Sequence, residues 1–154
     1  KAQTLKSVIN NLNFALDSMT RTMRTGQTYH CDVTQTPITS VRDCGATPAS
    51  SFAFQPASGG TYVYRLETSN ATLCGQPAGR VGCLVRSTDG GSTYSPITSS
   101  EVYLNALNIY VTGAESGYVQ PKVTILISGV VSVSGTQTSS FNLQTSVTQR
   151  LYDQ

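Results

Sequence analysis

Between Leu5 and Arg24 the chain contains neither proline nor glycine, and its apolar side chains return every three or four residues. Leu5, Val8, Ile9, Leu12, Leu16, Met19 and Met23 fall within about 60° of one line at helical pitch, an arrangement that a strand cannot place on one face. A helix of this kind, about 30 Å long, has to cover its stripe against another layer. The rest of the chain must therefore supply a surface long enough to receive it. The predicted element occupies residues 1–26, with Gly26 as a C′ glycine and Arg21 and Arg24 in the last turns, where cations suit the helix dipole. Asp17 and Arg21 are spaced to form an ion pair one turn apart. Phe14 breaks the pattern: it lies nearly opposite the stripe, among Lys6, Asn10, Asp17 and Arg21. Nothing caps the front of the helix, which is expected to continue upstream of Lys1.

After Gly26 the helical period is lost. Residues 27–60, rich in Pro, Gly, Ser and Thr, read as a long connection. From residue 61 the pattern is that of strands. Tyr62, Tyr64 and Leu66 share one face, and Val81 to Arg86 forms a second short strand. Asp89-Gly90-Gly91 marks a turn. Leu107, Ile109 and Val111 alternate with polar residues, and the parity shifts near Asn105-Ala106, as at a bulge. Val123 to Val131 is apolar on both parities, which predicts a central strand. Ser134-Gly135 begins another turn, and Phe141, Leu143, Thr145 and Val147 alternate with polar residues as a half-buried strand. One long helix followed by a meander of strands gives an α+β domain over residues 1–154, with the helix stripe covering an antiparallel sheet.

Four cysteines, Cys31, Cys44, Cys74 and Cys83, are spaced 13, 30 and 9 residues apart. Zinc ligands come in pairs about two to four residues apart, a spacing that no pair here has. An even number of cysteines in a low-charge, Thr-rich chain reads instead as two disulfides formed in an oxidising, extracellular setting. Three connectivities are open; sequential pairing, Cys31–Cys44 and Cys74–Cys83, closes two short loops and is the expected one. Charged residues make up only 12% of the chain and the net charge is +2, so polarity is carried by hydroxyls and nothing draws the chain to nucleic acid.

Signatures of chemistry are lacking. His30 is the single histidine and reads as a loop residue beside a disulfide; no nucleophile–base pattern accompanies it. The carboxylates are scattered, no Gly-x-Ser-x-Gly elbow occurs, and the glycines of 75–82 lack the Gly-Lys-Ser/Thr of a phosphate loop. Neither a cofactor nor a catalytic residue is expected, and the chain does not read as an enzyme. Arg65, Arg80 and Arg86, with Tyr62 and Tyr64 nearby, are the candidate binding surface, weighed against ordinary solvated arginines.

The helix Leu5–Gly26 together with the runs Leu107–Gly113, Gln120–Gly129 and Ser140–Arg150 resembles the soluble part of the type IV pilin and pseudopilin family, minor-pilin-like members above all. The resemblance covers both ends of the chain and hardly touches 27–100. It implies a structural filament subunit on the cell surface, serving adhesion or twitching motility. Its partners would be other subunits, the membrane through an apolar helix half before assembly, and a host-cell or surface ligand. Phe14, Asp17 and Arg21 would then contact neighbouring subunits. That apolar half, with the family's acidic residue, has no counterpart here, and the last cysteine, Cys83, lies too early for the family's C-terminal disulfide loop. The other readings are a pseudopilin of a type II secretion system and a free-standing extracellular domain that binds glycan or protein.

Overall fold

A computed structural model describes residues 2–134 and 137–150. Helix α1 runs over Ala2–Arg24 and is followed by β1 (Gln27–Cys31), β2 (Ser51–Gln55), β3 (Tyr62–Glu67), the single turn α2 (Ala71–Cys74), β4 (Cys83–Ser87), β5 (Ser95–Pro96), β6 (Val102–Thr112), β7 (Lys122–Ser134) and β8 (Gln137–Thr148). The protein is α+β, with an N-terminal helix, antiparallel strands and two disulfides. In place of one sheet there are two: sheet A in the order β1-β2-β3-β4-β5, and sheet B in the order β6-β7-β8. The turn expected at Ser134-Gly135 lies outside the described residues.

The helix stripe packs as its spacing requires. Val8, Leu12, Leu16, Met19 and Met23 are buried, and Leu5 and Ile9 are partly buried against the same cluster. The receiving surface is sheet B through β7 and β8; Ile125 and Ile127 are buried in the cluster, with Phe141 and Leu143 at its margin. Sheet A closes the core from the other side with Phe52, Phe54, Tyr64 and Leu84. The rings of Phe52, Phe54 and Tyr64 stack at centroid separations of 5.7 to 6.1 Å.

Two expectations near the end of α1 are corrected. Residues 27–60 are not a plain connection, since they hold β1 and β2. Nor does Gly26 close the helix in the left-handed conformation. Its backbone is unremarkable in φ, and it is glycine because a Cβ there would stand 2.6 Å from the Phe54 ring and 2.9 Å from the Gln55 carbonyl. The helix has no need of a left-handed cap, because its last carbonyls are taken by other groups. Met23 O accepts from the Gly26 N–H at 3.0 Å and from the Tyr29 hydroxyl, and Arg24 O accepts from the Arg150 N–H at 2.7 Å.

In sheet B, β7 is central, and the β6–β7 register shifts between Leu104 and Ala106, where the parity change predicts a bulge. Ile109 exchanges both backbone hydrogen bonds with Ala49, and Cys44 N–H bonds Val111 O at 2.9 Å, so the segment around 44–49 covers the outer edge of β6. No described strand pairs with the outer edge of β8.

Candidate functional site

Both disulfides form with the expected pairing: Cys31–Cys44 with Cα atoms 5.1 Å apart and Cys74–Cys83 at 5.8 Å. The first ties β1 of sheet A to the segment that edges sheet B. The second ties α2 to β4. Such bridges belong to an oxidising compartment. No described helix is long and apolar enough to cross a membrane.

On α1 the face turned from both sheets carries Phe14, which is 71% exposed, beside exposed Lys6, Asn10, Asp17 and Arg21. The Asp17–Arg21 ion pair does not form; among the described residues Arg65–Glu67 is the ion pair present, at 2.7 Å. Two solvent-exposed charged side chains gain little from closing on each other.

The arginines do not make one patch. Arg65 stands opposite Val85 and Arg86 opposite Tyr64. Residues 85 and 86 are neighbours on a pleated strand, so Arg65 and Arg86 project from opposite faces of sheet A. Each of the three arginines instead lies over its own tyrosine: Arg65 over Tyr94 at 4.2 Å, Arg80 over Tyr103 at 4.0 Å, and Arg86 over Tyr62 at 5.9 Å. Arg65 is committed further, donating from Nη1 to Glu67 Oε1 at 2.7 Å. Burial alone would raise the Glu67 carboxyl. The Ser69 N–H, Arg65, the Asn70 N–H and the Ser69 hydroxyl outweigh it and hold the carboxyl down at about 2. Sequence placed these arginines near one another but did not give the register that separates them.

His30 is corrected as well: it lies in β1, not in a loop, and is buried. Its Nδ1 faces Ser40 O at 2.7 Å and its Nε2 faces Gln35 O, so the ring is enclosed by two carbonyls of the loop that follows, and a neutral imidazole donates to one of them at a time. Among the described residues no three His, Cys, Asp or Glu side chains gather as a metal site. A wide hollow of 760 Å³ lies between residues 25–27, 55–61 and 149–150, and among the described residues its lining includes one ionisable side chain, Arg150.

One surface escaped the sequence reading. The 36 residues of sheet B include one charged side chain, Lys122, and no carboxylate. The pleat sends most apolar members of β6 and β7 into the core and presents a largely hydroxyl- and amide-bearing face to the outside. At its centre Asn108, Leu126 and Gln144 form one row across the three strands. Tyr110, Thr124 and Ser146 form the next. Leu126 and Tyr110 are each 36% exposed. A depression of 320 Å³ is lined by Asn108, Leu126, Ser128, Asn142 and Gln144 among others. The signal was present in the sequence as a long alternating stretch without charges. It read only as the polar side of half-buried strands. No protein family, curated protein or solved structure matches this chain.

Proposed function

We propose that this chain is the globular domain of a type IV pilin-like subunit, a structural protein that polymerises through a helix continuing upstream of α1. Support comes first from Phe14. A phenylalanine that is 71% exposed on the polar side of a helix otherwise well buried on its apolar side costs solvation without any return inside the domain. A neighbouring subunit's helix packed on that face would cover it. The order of elements, a long N-terminal helix laid on antiparallel strands with disulfide-tied loops, agrees with the resemblance of the two ends of the chain to that family. The loops and the outer face of sheet B would then be displayed on the filament surface, available for adhesion.

The test compares assembly with folding. In cells that make the protein, Phe14→Ala should reduce surface filaments while the isolated domain keeps its melting temperature. Unchanged filaments would remove the main support for the reading, and a domain that unfolds readily would place Phe14 in the core. The gene upstream of Lys1 offers a second check: a short basic leader followed by about 20 apolar residues fits a pilin, whereas an ordinary cleavable signal fits a free extracellular binding domain.

A further inference from the structure

We infer that the outer face of sheet B is a binding platform for a neutral glycan chain, centred on Leu126 and flanked by Tyr110 and the amides of Asn108, Asn142 and Gln144. The inference concerns the isolated domain and holds whether or not the domain polymerises.

Strands β6, β7 and β8 carry no carboxylate, and their single cation, Lys122, sits at the end of β7. Along the strand Lys122 is four residues from Leu126, about 13 Å. Arg80 lies at the opposite end, stacked over Tyr103, whose partner on β7 is Val130. Between these cations the face is neutral. Nucleic acid and acidic polymers need phosphate- or carboxylate-pairing cations along their track, and the centre of this face has none.

A protein–protein interface of ordinary size buries well over about 1,000 Å² in total, and its core concentrates apolar and aromatic residues. Here the most exposed apolar side chains are one leucine and one tyrosine, each 36% exposed, with Tyr103 and Val130 half-buried toward one end, in a field of hydroxyls and amides. A sugar ring has matching chemistry: C–H groups on its flat faces and hydroxyls around its rim. Tyr110 and Leu126 offer the apolar contact, and Tyr keeps a polar tip for the rim.

None of the side chains of Asn108, Asn142 and Gln144 hydrogen-bonds another group among the described residues, although each carries two donors and an acceptor. Asn108 and Gln144 flank Leu126 directly in register, and Asn142 stands opposite Ser128 one row away. These groups converge on the 320 Å³ depression, within the size range of small-ligand sites, about 300–1,000 Å³. The strands are about 4.8 Å apart, on the scale of one pyranose ring, so successive sugars of a chain lying across the strands would each meet a strand.

The experiment is a titration of the ¹⁵N-labelled domain with four probes: cellohexaose, maltohexaose, mannohexaose and, as an acidic arm, hexagalacturonate. At least one neutral hexasaccharide should give saturable amide shifts confined to residues around 106–112, 124–130 and 140–146. Tyr110→Ala, and separately the double change Asn142→Ala with Gln144→Ala, should weaken that binding by about tenfold or more. All three positions are exposed, and unchanged resonances from the core would confirm that the variants fold. Absence of shifts with all four probes at millimolar concentration overturns the inference. So do shifts that map elsewhere, and so does tighter binding of the acidic probe.

Discussion

Leu104 donates its backbone N–H to the carbonyl of Gly82 at 3.0 Å, and a Cβ on Gly82 would lie 2.2 Å from the Leu104 carbonyl oxygen. The strap that leads into β4 of sheet A therefore meets β6 of sheet B main chain to main chain. The contact is reinforced from Gln76, which is buried: its Oε1 accepts from the Gly82 N–H at 2.8 Å and its Nε2 donates to Val102 O at 2.7 Å. One amide side chain thus satisfies a donor in the strap and an acceptor on β6.

It follows that Gly82→Ala should destabilise the domain by about 1–3 kcal/mol, since the obstructing atoms are backbone that must move apart. Gln76→Leu removes the amide from between two main-chain groups and leaves them buried without partners, at about 1–3 kcal/mol for each group left unsatisfied. Urea denaturation at neutral pH measures both. A change within about 0.5 kcal/mol for Gly82→Ala would mean that the strap relaxes freely and that the two sheets are not fixed to each other at this point.

A second expectation concerns the bridges. Each closes a short loop, of sequence separation 13 for Cys31–Cys44 and 9 for Cys74–Cys83, so the chain-entropy account assigns each about 3 kcal/mol. The two should nevertheless differ in what they release. Replacing Cys31 and Cys44 by serine frees the edge of sheet B that Cys44 and Ala49 cover, and hydrogen exchange at Val111 and Ile109 should quicken. Replacing Cys74 and Cys83 should leave those amides protected and loosen 71–83 instead. Equal effects of the two replacements on Val111 and Ile109 would contradict this division.

Helix packing gives the third. Leu16 is 6% exposed and lies in the cluster with Ile125 and Ile127. Leu16→Ala should cost about 2–5 kcal/mol, while Phe14→Ala on the opposite face should change stability by less than about 0.5 kcal/mol. The two residues are two positions apart, so thermal unfolding of this pair reads the orientation of α1 directly. A loss below about 1 kcal/mol for Leu16→Ala would show that the stripe is not packed as described.

Legibility followed periodicity. The stripe from Leu5 to Met23 repeats over five turns, and Leu107 to Val111 and Phe141 to Val147 alternate long enough for the period of two to stand out. Strand β1 gave no such signal, because Tyr29, His30 and Cys31 are buried in succession and Thr28 adopts a positive φ of 58° within an irregular register. In β2 the alternation of Phe52 and Phe54 with Ser51 and Ala53 was a genuine strand pattern, but the small residues are buried too, and the segment was too short to outweigh the prolines and glycines around it. Long-range register is the kind of information that periodicity lacks. That is why the opposite faces of Arg65 and Arg86, and the row Asn108–Leu126–Gln144, become visible only once the strands are paired.

The last expectation is a dependence on pH carried by Glu67. Its carboxylate accepts from the Ser69 and Asn70 N–H groups at 2.8 and 2.9 Å, from the Ser69 hydroxyl at 3.0 Å and from Arg65 at 2.7 Å. Against the raising effect of burial, these donors hold the group at about 2 in the folded protein, below the ordinary 4.5. A carboxyl whose folded value is depressed binds its proton more readily in the unfolded chain. Its contribution is therefore fully present above about pH 4.5 and is lost as the pH falls toward about 2. For a shift of this size the loss is on the order of 3 kcal/mol. Asp32 and Asp89 are also lowered, Asp32 chiefly by the Thr34 hydroxyl and Asp89 by the hydroxyls of Thr93 and Ser87, so they add to the acid sensitivity of the domain. Glu67→Gln separates the terms. An amide keeps one oxygen for the two N–H donors but turns its own N–H₂ toward a donor, either Arg65 or the Ser69–Asn70 turn. The variant should be less stable than the parent at pH 7 and should approach it at pH 2. Its stability should fall less steeply than the parent's between pH 5 and pH 2, with only the aspartates left to titrate. Urea denaturation of the two proteins at pH 7, 5, 3.5 and 2 measures this, and parallel curves would show that Glu67 titrates alike in the folded and unfolded chains.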